Sequence, residues 1–415
     1  MSLADDATAL IDSVVSRRVL VFGSLPPAGR DVDLLARVPE AEAARRALDA
    51  DGFLAGPGGW VRFGHCSAMM VEVVPAADWN LPDDEVDALF AEAVPLPGFS
   101  HLVEPAAHHQ LLILARKLDG GGLLTPKRRR RAEQAAQGNP GAWAEARRGA
   151  LAWSAEAALA RLEQALRQDR TPSSPRSLTP RRPLRPRLVS LSGIDGAGKS
   201  SQARALKHAL EQLGYEAEIV WTPIAQNAWT YRVAAGIRHL LLRIPSLAPD
   251  ETLRDPKLER ETMAGPGTML RERSNLATEA WTGLLALANG LSHARAALSH
   301  SGSGRVIIFD RYVLDSAVRL RVMYGESRPF RWQNRLIRLL SPSPLFSAFL
   351  DVAPETALAR KQDRWTSEGL NAHARLYREQ HAAFAAVRID GQAPVEEVCA
   401  QIAERVWRHL TSGAG

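Results

Sequence analysis

The residues Gly193-Ile194-Asp195-Gly196-Ala197-Gly198-Lys199-Ser200 form a complete G-x-x-x-x-G-K-S segment. An apolar run, Leu188-Val189-Ser190-Leu191, precedes it, and a helical pattern from Gln202 to Leu213 follows. In that strand–turn–helix setting the spacing carries a mechanism. Glycines allow the turn, and backbone N–H groups with the first turn of the helix then surround a polyphosphate with partial positive charge. The expected nucleotide-binding set is Gly193, Asp195, Gly196, Ala197, Gly198, Lys199, Ser200 and Ser201. Lys199 is suited to reach the β- and γ-phosphates, and the Ser200 hydroxyl to ligate Mg²⁺. ATP with Mg²⁺ is the expected cofactor.

A second constellation lies far upstream: Gly23-Ser24, then Asp31-Val32-Asp33-Leu34, then Glu72 within Met70-Val71-Glu72-Val73-Val74. Strand alternation puts Asp31 and Asp33 on one face. Glu72 interrupts a run that otherwise has no use for a charge. Three carboxylates converging from adjacent strands can hold two Mg²⁺ ions for in-line attack on an α-phosphate. Gly23-Ser24 would present a small turn to the triphosphate. A degenerate fold kept for binding or assembly, and a coincidental Asp-Val-Asp turn, stay open as alternatives.

Positioning elements can be read around both sets. Candidate strands Leu188–Leu191, Glu218–Trp221, Val306–Phe309 and Ser347–Leu350 alternate with helical stretches Gln202–Leu213, Leu276–Leu298, Pro354–Asp363 and Val395–Leu410. That alternation predicts an α/β fold with a parallel sheet flanked by helices. Ser246 to Gly267, rich in Pro, Gly and charge, reads as an irregular insertion or a mobile loop. The N-terminal part predicts a helix, a strand at Val19–Phe22, a loop Gly23–Arg30 and a strand near Val32–Leu35. A helix Pro39–Ala50 follows, then strands near Gly59–Phe63 and Ala68–Val74, and a mostly helical remainder from Asp83. Between the parts, Arg170 to Arg187 alternates arginine with proline and reads as a semi-stiff linker. The expected domains are therefore 1–168, a linker 169–187, and 188–412.

At 415 residues the chain can build two cores. Its 46% hydrophobic and 24% charged residues are those of an ordinary globular protein. Two cysteines, Cys66 and Cys399, suggest neither a disulfide framework nor a Cys-based zinc site. Asp5 and Asp6 stand where a signal peptide would be basic, and no run is long enough to span a bilayer, so a cytoplasmic location is expected. The net charge of +6 is concentrated in Lys127-Arg128-Arg129-Arg130-Arg131 and the linker. Without aromatic interleaving, these read as solvated charge, and neither nucleic acid nor membrane is an expected partner. His101, His108 and His109 have poor spacing for a metal site on one helix face and read as surface or packing histidines.

Three features follow the phosphate loop in order. Val306-Ile307-Ile308-Phe309-Asp310-Arg311-Tyr312 is a buried strand ending in Asp-Arg-Tyr. Phe349-Leu350-Asp351-Val352-Ala353-Pro354-Glu355 is a strand with a proline at the start of a helix, and Arg360, Lys361 and Arg364 follow on that helix or a lid after it. Together these resemble the thymidylate kinase family of P-loop nucleoside monophosphate kinases, over roughly Arg187 to Leu410. Asp310 can hold the Mg²⁺ shell or orient the acceptor, and Arg311 can grip an acceptor phosphate in bidentate fashion. Arg360 and Arg364 can close over the transferring group. The resemblance implies that Asp195 approaches the acceptor's sugar hydroxyl. A structural ion pair for Asp310-Arg311, and plain surface charge for the lid arginines, are the plainer alternatives.

Departures from that family bear on the acceptor. Where relatives carry Phe and Arg in a helix that reads the base and holds the phosphate, this chain has Leu284-Leu285-Ala286-Leu287-Ala288-Asn289-Gly290. Val318-Arg319-Leu320 replaces Ala-Tyr-Gln, and Thr222-Pro223-Ile224-Ala225 replaces Arg-Glu-Pro-Gly. These changes argue against dTMP. Arg319 and Arg321 could serve another anionic acceptor or simply form an exposed helix face.

Gly23-Ser24, Asp31, Asp33 and Glu72 resemble the minimal nucleotidyltransferase of the DNA polymerase β superfamily, over about Arg18 to Val74 with a helical extension to about Leu166. The short spacer holding Pro26-Pro27 departs from that pattern. The expected architecture is thus a C-terminal P-loop NTPase joined to an α+β nucleotidyltransferase-like N-terminal domain. The expected function is Mg·ATP-dependent phosphoryl transfer to a small acceptor, a nucleotide or phosphorylated metabolite, with homodimer formation left open. A bifunctional enzyme that also transfers a nucleotidyl group, and a non-catalytic ATP-dependent switch, are the alternatives.

Overall fold

The computed structural model describes residues 3–23, 31–119, 124–167, 187–221, 275–300, 305–360 and 367–412. Ser24, the Arg/Pro segment to 186, Thr222 to Ala225, Ser246 to Gly267, Lys361 and Arg364 lie outside the described residues. Two compact units divide the chain, Met1–Gly64 with Ala68–Thr179, and His65–Ser67 with Pro180–Gly415.

The first unit is α+β. It opens with α1 (Leu3–Val14), β1 (Val19–Val21), β2 (Asp31–Ala36) and α2 (Val38–Ala50). Strands β3 (Leu54–Gly56), β4 (Gly59–Gly64) and β5 (Ser67–Pro75) follow, then α3 (Asp83–Ala91), β6 (Val94–Pro95) and β7 (Leu102–Glu104). It ends in α4 (Ala107–Asp119), α5 (Pro126–Gly138), α6 (Ala142–Gly149) and α7 (Glu156–Arg167). The sheet runs β3-β4-β5-β2-β1-β7-β6, with β2 parallel to β5 and antiparallel to β1.

Alternation along β2 sorts its side chains between two cores. Val32 and Leu34 join Val21 and Val71 against Ala7 and Ile11 of α1 and Leu48 of α2. Leu35 joins Leu20 on the opposite face against Leu111 of α4, Trp153 and Leu159 of α7. Asp31 and Asp33 share the parity of Leu35, so their carboxylates emerge on the face covered by the later helices. Asp12 of α1 accepts hydrogen bonds from the backbone N–H groups of Ser100, His101 and Leu102 at 2.7–3.0 Å, which pins β7 beside β1.

The second unit contains a five-stranded sheet. Its elements are β8 (Arg187–Ser192), α8 (Lys199–Gln212), β9 (Ala217–Trp221), α9 (Asn275–His300), β10 (Val306–Asp310), α10 (Val313–Tyr324) and α11 (Arg331–Leu340). Next come β11 (Phe346–Asp351), α12 (Pro354–Arg360), α13 (Ser367–Gln380), β12 (Val387–Asp390) and α14 (Val395–Ser412). Strand order is β12-β11-β8-β10-β9, and all the pairings are parallel. Continuous apolar strands suit a sheet covered on both faces, and every residue of β10 is buried. Leu188, Ile307 and Phe309 pack under Leu285 of α9, Val313 and Leu320 of α10 and Ile337 of α11, while α8 packs with α14. Because the strands are parallel, the carboxyl ends of β8, β10 and β11 share one edge, where ligands bind in such sheets.

Candidate active site

The phosphate loop begins where β8 ends and is shaped by its neighbours. Gly193 has φ +148°, and a Cβ there would lie 2.7 Å from the carbonyl oxygen of Leu350 in β11. Gly196 has φ +83°, and its Cβ would fall 2.3 Å from the carbonyl oxygen of Ala357 in α12. Only glycine satisfies both the left-handed backbone and the close approach. Gly198, left-handed at φ +88°, is the residue from which α8 starts.

The first two residues of α8 point back into this loop. Lys199 Nζ donates to the carbonyls of Gly193 and Ile194 at 2.9 and 2.7 Å. Burial, reinforced by the nearby Arg311 guanidinium, brings the Lys199 ammonium down to about 8. Ser200 Oγ donates to Asp310 Oδ2 at 2.5 Å, linking the loop to the end of β10. Two successive turns follow, the Ala197 and Ser201 N–H groups donating to the Ile194 and Gly198 carbonyls at 3.2 and 3.0 Å.

Arg311 follows Asp310 with φ +79°, a conformation rare outside glycine. Its N–H donates to the Leu191 carbonyl at 3.1 Å, and its guanidinium pairs with Asp195 and lies 3.8 Å from Asp315. Burial disfavours the Arg311 charge, but Asp315, Tyr377, Asp195 and Asp310 outweigh it and raise its proton affinity above the ordinary value. Asp315, 1% exposed, accepts from Ser192 Oγ at 2.6 Å, Tyr377 Oη at 2.6 Å and the Tyr312 N–H at 3.0 Å. Sequence reasoning missed Asp315 and Tyr377. Together they secure the start of α10, and Asp315 brings its carboxylate to 3.8 Å from the Arg311 guanidinium.

Beside this cluster the two departures on α9 and α10 meet. Gly290 lies against α11, where a Cβ would approach Leu340 Cβ to 2.7 Å, so a long side chain at that position has no room. Asn289 is 4% exposed and lines a cleft with Ser316 and Arg319. Burial and the neighbouring Arg311 hold the Arg319 guanidinium below its ordinary proton affinity, with Asp195 acting in the opposite sense. Arg321 differs: its Nε donates to the Glu326 carbonyl at 2.7 Å and its Nη1 to Glu379 at 2.9 Å. Arg319 faces this cleft, whereas Arg321 ties α10 to Glu326 and Glu379. His373 of α13 is held below its usual range first by burial, with Arg311 and Arg319 adding to the effect.

Arg360 ends α12 and donates to the Gly391 carbonyl at 3.2 Å. It is not among the contacts joining Lys199, Ser200, Asp310, Arg311 and Asp195.

In the first unit, Asp33 pairs in register with Glu72 across the parallel β2–β5 ladder, and Asp31 with Met70. Paired residues of a parallel ladder share a face, so the three carboxylates lie together. Burial, then Asp31, raises the Asp33 carboxyl; burial, then Asp33, raises that of Glu72. Lys117 of α4 partly offsets both, its Nζ 3.6 Å from Asp33 Oδ2 and 4.8 Å above the Phe22 ring. Gly23 fits because a Cβ there would meet the Asp33 carboxylate at 2.7 Å. Of the basic block on α5, Arg131 donates to the Phe22 carbonyl at 3.0 Å and Arg129 to the last carbonyls of α7, Ala165 and Leu166, at 2.5 and 3.2 Å.

Among the described residues, Glu92, His108 and His109 are a group whose ligand atoms lie within 4.8 Å of one another. His108 sits between Glu92 at 3.3 Å and Glu145 at 3.2 Å, and the His109 ring stacks on Trp153. His101 stands apart, its Nδ1 3.2 Å from the Asp12 carbonyl oxygen. Among the described residues, no helix is long and apolar enough to cross a membrane.

No family model matches the chain. About half of it is similar to thymidylate kinases. Against the thymidylate kinase of Ruegeria pomeroyi it is 25% identical over 235 residues, which cover 54% of this chain and 95% of the relative. Against that of Caldanaerobacter subterraneus subsp. tengcongensis it is 26% identical over 243 residues, covering 55% and 98%. A probable thymidylate kinase of Archaeoglobus fulgidus is 24% identical over 216 residues, covering 51% and 90%. With the phosphate loop at the carboxyl edge of a five-stranded parallel sheet, this similarity marks a P-loop kinase-like region in the chain.

Proposed function

We propose that the second unit transfers the γ-phosphoryl group of Mg·ATP to a small acceptor, a phosphorylated metabolite or a nucleotide other than dTMP. The observation carrying this reading is the convergence of Lys199, Ser200, Asp310, Arg311 and Asp195 on one glycine-bounded loop. The loop fits a polyphosphate. Among the described residues, Lys199 Nζ donates to two loop carbonyls, and no non-neighbouring atom lies within 4 Å of where a Gly198 Cβ would stand.

Phosphoryl transfer needs positioning and charge compensation, and bound Mg·ATP would supply the reactive phosphoryl group with its bridging cation. Lys199 would exchange its two carbonyl partners for phosphate oxygens. Ser200 and Asp310, already hydrogen-bonded, form an oxygen pair suited to a hard cation or its water shell. Arg311 would grip the acceptor's anionic group in bidentate fashion, held in place by Asp195 and Asp315. Arg360 and Arg364 are proposed to act from the lid side. Asn289-Gly290 and Arg319 leave no phenyl stack and no tyrosine at the acceptor side, which supports an acceptor other than dTMP.

A second reading concerns the first unit. The register of Asp33 with Glu72, with Asp31 on the same face, favours a two-cation nucleotidyl-transfer site. The proposed division is then residues 1–168 and 188–412, joined by a linker at 169–187. ATP labelled separately at the α- and γ-phosphates tests both readings. A γ-labelled product lost in Lys199→Ala supports the kinase. An α-labelled product with pyrophosphate, lost only in Asp31→Ala/Asp33→Ala, assigns the chemistry to the first unit. Tight ATP binding with neither product overturns both and leaves a nucleotide-dependent switch.

A further inference from the structure

Three helices of the first unit bring side chains together around His108. Glu92 caps the end of α3, His108 and His109 open α4, and Glu145 lies in the first turn of α6. His108 Nε2 stands 3.3 Å from Glu92 Oε2, and its Nδ1 stands 3.2 Å from Glu145 Oε2. Adjacent residues diverge by about 100° around a helix, which is why this histidine pair reads poorly as a metal site in the sequence. Here a further ligand comes from another element. Ligand atoms of Glu92, His108 and His109 all lie within 4.8 Å of one another, and the two rings are 3.9 Å apart at a tilt of 42°.

A neutral imidazole donates from one nitrogen and accepts at the other. Glu145 takes the Nδ1–H of His108, which leaves the Nε2 lone pair facing a second carboxylate. A positive centre must then stand between Nε2 and Glu92. A proton there would account for His108 alone. It would leave His109 unexplained, because this residue is 2% exposed and its Nδ1 has no hydrogen-bond partner among the described residues. A buried polar atom in that state marks a place for a water or an ion. The His109 ring is held by packing: it stacks on Trp153 at 5.7 Å, and Trp153 Nε1 donates to Glu85 at 2.9 Å.

Distance and donor type identify the ion. The 3.3 Å between His108 Nε2 and Glu92 Oε2 matches two ligands on one tetrahedral ion with bonds of about 2.0 Å. The Glu92 side chain is 53% exposed, so it is free to adjust toward His109 at little packing cost. Two imidazoles and a carboxylate suit Zn²⁺ and its transition-metal neighbours, whereas Mg²⁺ and Ca²⁺ take oxygen. Glu145 supplies the outer carboxylate that fixes the tautomer of a metal-bound histidine.

We infer that Glu92, His108 and His109 bind a divalent transition-metal ion of the zinc type, with Glu145 as the positioning residue of His108. Three protein ligands leave a fourth position for water or an anionic oxygen. The site shares no residue with either proposed transfer centre and does not depend on them.

Zn²⁺ titration of the metal-stripped full chain, with Mg²⁺ in excess, tests this beside Co²⁺ spectra and melting curves. One equivalent of Zn²⁺ is expected to bind and to raise Tm. Co²⁺ is expected to give visible bands of nitrogen and oxygen ligation, without the thiolate charge-transfer band that Cys66 or Cys399 would contribute. Glu92→Gln is expected to weaken Zn²⁺ binding by about a hundredfold or more and to abolish the rise in Tm. Glu145→Gln is expected to weaken it by about tenfold with the stoichiometry kept. Asp31→Ala/Asp33→Ala is expected to bind Zn²⁺ as the wild type does, which separates this site from the carboxylates of β2. Circular dichroism checks that each variant is folded, and His108→Asn, with the same expected loss, replaces Glu92→Gln if that variant is not. No uptake at micromolar Zn²⁺, an unchanged affinity in the folded variant, or a thiolate band overturns the assignment.

Discussion

Ser200 Oγ and Asp310 Oδ2 lie 2.5 Å apart, joining the first turn of α8 to the carboxyl end of β10. The serine reaches the aspartate because β8 and β10 are direct neighbours in the sheet, with Asp310 in register with Leu191. Replacing Asp310 with Asn keeps an oxygen for Ser200 but removes the charge. Mg·ATP-dependent phosphoryl transfer is expected to fall by about 10²–10³-fold, costing about 3–4 kcal/mol of transition-state stabilisation. Thermal stability is expected to change little. Steady-state ADP release beside a melting curve separates the two.

Lys199 gives ATP binding a pH signature. Its folded-state value, about 8, lies below the ordinary lysine value of 10.5, so the unfolded chain holds the proton more tightly. The contribution of this group to stability therefore rises with pH between those values. Nucleotide affinity runs the other way, because phosphates need the ammonium. Between pH 7 and 9.5 binding of a fluorescent ATP analogue is expected to weaken by roughly thirtyfold, as the ammonium is lost. Lys199→Ala, weaker throughout, is expected to lack this slope.

The loop glycines are not equivalent. Gly196→Ala forces both a left-handed alanine and a contact with the Ala357 carbonyl, whereas Gly198→Ala faces open space. The first is expected to cost about 2–4 kcal/mol and the second about 1–2 kcal/mol. Urea denaturation with unchanged m-values measures the difference, and equal losses would show that the α12 contact carries no strain.

Asp33 trades stability for a charge. Its carboxyl is raised by burial and by Asp31, so the folded state holds the proton more tightly. Stability from this group is present below the ordinary carboxylate value of 3.8 and is lost as pH rises through the raised folded value. Asp33→Asn is therefore expected to stabilise the protein by about 0.5–2 kcal/mol at pH 7. Added Mg²⁺ is expected to raise the melting temperature of the wild type and not of this variant. A variant that is destabilised and still responds to Mg²⁺ would contradict the site.

Much of this arrangement was legible in the chain. The phosphate loop fixed the end of β8 and the start of α8. The apolar runs at Val306–Phe309 and Ser347–Leu350 fall inside β10 and β11, because a strand buried on both faces leaves an uninterrupted apolar signature. β7 escaped notice because three residues are too few to show a period, although its partner β1 places it inside the sheet. Helices α11 and α13 escaped as well. Their polar residues answer to tertiary partners, as Gln333 does in donating to Thr282 Oγ1 at 2.9 Å. Asp315 and Tyr377 were invisible for a related reason, since they are far apart in sequence and meet only after α10 and α13 pack. Arg319 and Arg321, two residues apart on α10, face different neighbours, a distinction that adjacency in the sequence does not show.

The close backbone approaches at Gly193 and Gly196 bear on how a nucleotide would arrive. β11 and α12 press on the loop from behind, so its shape is set when the sheet forms and does not wait for a guest. Capture of a polyphosphate then needs little reordering of the chain beyond the release of Lys199 from two carbonyls. Initial capture by such a cradle is expected to follow diffusion and charge rather than rearrangement of the loop itself.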